Sequence, residues 1–224
     1  MKLDNQLNQL DVYQSNIKAA TNEMNLTYDS LGAMYEQIDI INSLTVQAAN
    51  ATTTPESAKA IAIEIKERVN TIQDKLNVKY MDNYIFSGPY TAKAAYAQGD
   101  DGNITYQGSS KSAGKRNLTI SQDTTFNYNI TGDELMGGIE IKVHNDETGE
   151  DEIVTTDFFT QMKELSELLN ADTIDHDAIR NKLDVINAAG DKISQTQGAV
   201  SAQVAKLDTT QSINEATIVN LTEN

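Results

Sequence analysis

Apolar residues recur along the first fifty positions with a period of seven. Leu3, Leu10, Ile17, Met24, Leu31 and Ile38 are evenly spaced, and Leu7, Tyr13, Ala20, Tyr28, Met34, Tyr35 and Ile41 run beside them. Such a stripe, on a background of Asn, Gln, Asp and Thr, predicts one long helix over residues 3–49 that packs lengthwise on other helices. At the usual rise it would span about 70 Å. Thr52-Thr53-Thr54-Pro55-Glu56 closes that helix and opens the next. Thr54 suits the N-cap, Pro55 the first helical position and Glu56 the positive helix end. The second helix is predicted to run to about Tyr80, with Ala62, Val69 and Leu76 seven apart and Ile65 and Ile72 on the same face. The short break folds it back on the first.

From Asn83 the period changes. Tyr84-Ile85-Phe86 reads as a strand with Tyr84 and Phe86 on one face, and Ser87-Gly88-Pro89 as its breaker. Further strands are predicted at Ile104–Tyr106, 117–120, 126–130, 139–143 and Ile153-Val154. The turns Asp100-Asp101-Gly102-Asn103 and Asp146-Glu147-Thr148-Gly149-Glu150 lie among them, and most of the glycines fall between Gly88 and Gly149. This is the pattern of a small domain made of hairpins.

Helix returns at Asp157, the predicted N-cap, with Phe158, Met162, Leu165 and Leu169 on one face up to Asn170. Asp175 or Asp177 opens a last helix in which Ile179, Ile186, Ile193, Val200, Leu207 and Leu221 keep the seven-residue register. Asn214 is its one polar member, and Leu183, Val204 and Ile218 run alongside. The expected architecture is therefore α+β. Residues 1–82 and 157–224 form a long antiparallel helical rod built from both chain ends, and residues 83–156 an inserted β-rich domain at one tip of the rod.

Composition narrows the chemistry. The 224 residues carry a formal charge of −16, which disfavours nucleic acid and anionic membranes as partners. Without Cys there are no disulfides, thiolate metal sites or Cys nucleophiles. No apolar run approaches a membrane span, and the opening MKLDNQLNQLDVYQ lacks the apolar centre of a signal peptide. The two histidines, His144 and His176, have no partner at metal-ligand spacing, so packing or surface roles are expected. The acidic stretch from Asp146 to Glu152 and the Asp100–Asn103 turn both lack the spacing that wraps oxygens around calcium. No phosphate-binding Gly loop and no G-x-S-x-G is present. No catalytic, cofactor-binding or metal-binding residue is assigned, no cofactor is expected, and the chain is not read as an enzyme.

Several segments carry a resemblance. Leu44-Thr45-Val46-Gln47-Ala48-Ala49-Asn50, followed by a polar break and a second amphipathic helix, resembles the N-terminal core of the bacterial flagellin superfamily. Tyr84-Ile85-Phe86-Ser87-Gly88, then Thr91, then Tyr106-Gln107-Gly108, is similar to the hook–filament junction branch, the hook-associated protein 3 family. Thr131-Gly132-Asp133-Glu134-Leu135 fits the same pattern, and Gln197-Gly198-Ala199-Val200-Ser201-Ala202-Gln203 resembles the shared C-terminal helix.

The resemblance implies an extracellular structural protein of the flagellum, exported by the flagellar type III route. It would join the hook, through hook-associated protein 1, to the flagellin filament, with its own copies as neighbours in a ring. A divergent flagellin and a helical adhesin or secretion-tip protein are the alternatives. Family members have longer terminal segments than this chain, which is expected to be a core fragment, monomeric by itself.

Overall fold

The computed structural model describes residues 2–108, 115–122, 124–145 and 149–223. Two helices of 47 residues each, α1 (Lys2–Ala48) and α5 (His176–Thr222), form its axis. They lie antiparallel, and polar bonds along their length fix the register. Asn42 donates to the Asn187 amide oxygen at 2.6 Å, and Gln197 donates to the Tyr28 carbonyl at 3.2 Å. His176 Nδ1 lies 3.3 Å from the Ala48 carbonyl where the two helices begin and end. Ile17, Met24, Leu31 and Ile38 of α1 are buried, as are Ile179, Ile186, Ile193, Val200 and Leu207 of α5. The seven-residue stripes are thus the seam. Leu3 is exposed and Leu10 and Leu221 are only half-buried, so the seam thins toward the chain termini.

Tyr28 and Tyr35 depart from the expected stripe and are exposed. They follow the buried Thr27 and Met34 on the flank of α1 away from Gln37. Helix α2 (Pro55–Leu76) covers the Gln37 side, where Arg68 reaches the Gln37 side-chain oxygen at 3.5 Å. Helix α2 starts as expected: the Thr54 hydroxyl accepts from the Ser57 amide at 3.3 Å, and Pro55 lies in the first turn. Its buried face is Ala58, Ile61, Ala62, Ile65, Val69, Ile72 and Leu76.

The helix stops at Leu76 rather than Tyr80. Asn77 turns its side chain on the backbone of Tyr96, donating to the carbonyl at 2.8 Å and accepting from the amide at 2.9 Å. The next residues form strands β1 (Lys79–Tyr80) and β2 (Asn83–Tyr84). Met81 and Asp82 both have positive φ, the geometry of a type I′ hairpin turn.

The remaining strands pair as β3 (Tyr96–Gln98) with β4 (Ile104–Tyr106), β5 (Asn117–Ser121) with β6 (Thr124–Asn127), and β7 (Ile139–Asn145) with β8 (Glu150–Thr156). Each is a separate antiparallel hairpin among the described residues. The strand expected over Tyr84–Phe86 ends at Tyr84. Ile85 and Phe86 are both buried, so alternation fails where the chain leaves the ladder and enters the core. The turn Asp146-Glu147-Thr148 lies outside the described residues. A short helix, α3 (Gly132–Met136), was not expected, although its capping box, Thr131 with Glu134, was legible.

Helix α4 (Phe158–Asn170) is capped by Asp157, whose carboxylate accepts from the Thr160 amide at 3.0 Å; α5 is capped by Asp175, which accepts from Ala178 at 2.9 Å. Helix α4 packs on both α2 and α5. Four helices therefore surround the seam at one end. The hairpins do not sit at a tip of the rod, as the sequence suggested, but along its flank. Helix α2 has 22 residues and covers only half the length of α1. Over the other half the β5–β6 hairpin takes its place. Asn16 of α1 donates to the Thr119 carbonyl at 2.9 Å, Asn214 of α5 donates to that of Ile120 at 3.1 Å, and Ile120 and Phe126 are buried.

Leu31 and Ile186 are wholly buried on opposite sides of the seam. Leu31→Ala or Ile186→Ala is expected to cost about 2–5 kcal/mol of stability in chemical denaturation, with a cavity left in the seam. A loss below about 0.5 kcal/mol at either position would contradict the packing described.

Candidate functional site

Three of the motifs that carry the resemblance are far apart in sequence and converge on one residue. The Phe86 carbonyl accepts from the Gly132 amide at 2.8 Å and from the Tyr106 hydroxyl at 3.2 Å. The Tyr84 amide donates to the Thr91 carbonyl at 2.9 Å, and the Ser87 hydroxyl to that of Lys93 at 2.6 Å. Tyr84–Gly88, Tyr106–Gly108 and Thr131–Leu135 thus form a single knot. Two of its glycines are there for space. A Cβ on Gly132 would stand 2.6 Å from the Tyr96 ring, and one on Gly108 would stand 2.7 Å from the Ser87 carbonyl oxygen. Neither separation leaves room for a methyl group.

Tyr96 links the knot to the helices. Its ring stacks tilted against Phe159 of α4 at 4.9 Å between centroids and against Tyr106 at 5.3 Å, and its hydroxyl donates to the Gly132 carbonyl at 3.0 Å. Burial raises the pKa of Tyr96 far above the ordinary phenol value, with the Asp157 and Asp133 charges adding to it. Tyr106 is pushed up to about 12, by burial first and then by Asp133. Both hydroxyls therefore stay protonated, as their donor roles require. Tyr96 was missed by sequence reasoning, because strand β3 has only three residues and no alternation to betray it.

A second tie joins the hairpins to α1. Glu23 accepts a forked pair of bonds from the Arg116 guanidinium, one of them at 3.3 Å. The same guanidinium lies 4.8 Å from the centroid of the Tyr128 ring and 3.4 Å from the Ile85 carbonyl. Glu23 is only 6% exposed. Burial raises its pKa above the ordinary glutamate value and outweighs the opposing pull of Arg116. Glu134 has the opposite balance. Burial raises it too, but bonds from Lys115 and Thr131 outweigh that and hold it low.

The histidines remain apart. His176 is the first residue of α5, and His144 stands on β7 opposite Asp151 in the ladder. Among the described residues no three His, Cys, Asp or Glu side chains gather as a metal site. The Asp100–Asn103 turn is a tether: Asp101 accepts from the Asn103 amide at 3.0 Å, and Lys163 of α4 donates to the Asn103 side chain at 2.7 Å. No described helix is long and apolar enough to cross a membrane. These contacts hold the hairpins in place against the helices.

Phe86 is fully buried at the centre of the knot. Phe86→Ala is expected to cost about 3–5 kcal/mol and to expose residues 83–156 to limited proteolysis before the helices are cut. Unchanged protection of both parts would show that this residue does not seat the hairpins. Glu23 gives a pH signature. Its raised folded pKa contributes stability that is complete below the ordinary glutamate pKa and is lost as pH rises through the raised value. The stability of the wild type relative to Glu23→Gln should therefore fall as pH rises above the ordinary glutamate range in parallel denaturation series. A difference that is constant or rises with pH would contradict the burial described.

Residues 1–91 match the bacterial flagellin N-terminal helical region. A search of curated proteins finds no significant match. Among solved structures, FlgL from Xanthomonas campestris aligns over 98% of this chain and 98% of its own, with a TM-score of 0.86 at 16% identity. Flagellar hook-associated protein 3 from Legionella pneumophila aligns over 99% and 96%, with a TM-score of 0.83 at 15% identity. Flagellin from Bacillus cereus aligns over 89% and 88%, with a TM-score of only 0.51 at 15% identity. The chain is therefore flagellin-like in its N-terminal helices and has, over nearly its whole length, the fold of the flagellar hook-associated junction proteins.

Proposed function

We propose that this chain is a structural subunit of the bacterial flagellum at the hook–filament junction. It joins the hook, through hook-associated protein 1, to the flagellin filament as one of a ring of like subunits. The observation that carries the reading is the convergence of Tyr84–Gly88, Tyr106–Gly108 and Thr131–Leu135 on the Phe86 carbonyl. It is supported by the much higher structural similarity to junction proteins than to a flagellin. In this reading residues 1–82 and 157–224 are the rod, residues 83–156 are the inserted domain on its outer flank, and the knot sets the angle between them. Export is by the flagellar type III channel. The role is mechanical, with no catalytic residue.

The apolar seam is consumed inside the subunit, and a charge of −16 makes copies repel at low salt. This 224-residue chain is therefore expected to run as a monomer in size exclusion with light scattering at about 100 µM, with ring formation depending on partner surfaces. A ring or fibre formed by the chain alone would overturn that dependence. Immunogold labelling of the native protein tests the placement. Gold confined to the hook–filament junction is expected, and gold along the whole filament would identify a divergent flagellin.

A further inference from the structure

The β1–β2 turn is made from residues that suit it poorly. A type I′ turn favours Asn-Gly, yet Met81 stands at φ 46° and Asp82 at φ 65°. Asp tolerates the left-handed region, whereas the Cβ of Met is strained there. Burial does not offset that strain, because Met81 is 76% exposed. A flexible apolar side chain kept in such a position points to a contact outside the chain. The tip around it is basic. Lys75 lies in the last turn of α2, Lys79 two residues before Met81, and Lys93 on the turn tied to the hairpin by the Tyr84–Thr91 bond. All three are exposed, and the acids beside them in sequence are Asp74 and Asp82. None of the three makes an ion pair among the described residues, and Lys79 Nζ stands 4.6 Å from the centroid of the Tyr84 ring.

A groove of the opposite character lies on the open flank of the α1–α5 seam. It has a volume of about 150 Å³. The buried Ile38 and Ile186 form its floor, and the exposed ring of Tyr35 stands at its side. Asp39 and Asp191 are the only charged residues in its lining. Both are exposed, and neither makes an ion pair among the described residues. The tip and the groove of one copy cannot meet. The Ile85 carbonyl, just past the tip, accepts from Arg116, which holds Glu23 of α1. Asp39 is 16 positions further along that helix, roughly 24 Å away.

We propose that the β1–β2 tip of one copy docks in this groove of the next. Met81 covers Ile38 and Ile186 beside Tyr35, and Lys79 with its neighbouring lysines faces Asp39 and Asp191. Charge selects the occupant. The chain as a whole is at −16, and the tip is a place on it where exposed lysines outnumber acids around an exposed apolar side chain. Because the two surfaces differ, the contact is head-to-tail, and copies related by it form a ring when the rotation closes. Overall repulsion keeps it weak between free copies, in line with a monomer at about 100 µM. This deepens the junction reading and rests on its ring of like subunits.

The test uses the absence of cysteine from the chain. Met81→Cys and Tyr35→Cys are made singly in the whole chain, given tags of different mass, mixed at about 1 mM each and oxidised with diamide. Both positions are exposed, and the fold of each variant is checked by circular dichroism. Random collision makes the mixed dimer about twice as abundant as either same-variant dimer, whereas docking is expected to make it about tenfold more abundant. Asp39→Lys in the Tyr35→Cys chain is expected to return the ratio to the random value, and Lys79→Asp in the Met81→Cys chain to restore the excess. Random pairing of the first two variants would overturn the proposal. So would an excess that Asp39→Lys leaves unchanged, a loss that Lys79→Asp does not recover, or dominance of one same-variant dimer, which would mark a symmetric contact instead. Gold confined to the junction together with random pairing would leave the junction reading standing and remove this contact alone.

Discussion

The whole structure depends on covering one apolar seam. Two 47-residue helices bury their stripes against each other, but a helix pair leaves both flanks of its seam partly open. One flank needs a third layer along its length. Helices α2 and α4 supply it at one end, and they are too short to supply it at the other. The β5–β6 hairpin completes the layer there, with Ile120 and Phe126 taking the place of a helix face. The small strands are thus part of the rod's core and not an ornament upon it. Residues from Ile17 of α1 to Leu207 of α5 form one continuous cluster through Phe86, Tyr96 and Phe158.

That cover has to be held at a fixed place, and short hairpins have little core of their own to hold it. Polar ties to backbone groups do the holding. Asn16, Asn77 and Asn214 each bind a strand backbone, and Tyr96 and Tyr106 bind carbonyls of the knot. The asparagine ties each satisfy strand peptide groups. Glu23 with Arg116 is the one ion pair among these ties that is largely buried, and it joins α1 to the strand at the point where both charges lose most of their water. Removing one partner of such a pair is more damaging than removing both.

This design has a plain mechanical consequence. A hinge between a helical part and a strand part would absorb bending. Here the same seam runs under both, so the hairpins and the rod deform together. The β7–β8 hairpin is the exception, being anchored mainly at its base.

The sequence by itself determined helices α1, α2, α4 and α5. The sevenfold spacing, Thr54 with Pro55, Asp157 and Asp175 placed their faces and starts, because these are local signals within one or two turns of the residues they govern. It also marked most strands and the motif residues of the knot. It could not show that Phe86 would gather contacts from residues 20 and 46 positions away, since nothing local encodes such a meeting. Tyr96 and the pairing of Glu23 with Arg116 were invisible for the same reason, the two charges lying 93 positions apart. The end of α2 at Leu76 was decided by Asn77 finding Tyr96, against a helical pattern that could have continued. The position of the hairpins was decided by length: α2 is half as long as α1, and the apolar surface left bare could be buried only by strands lying along the rod.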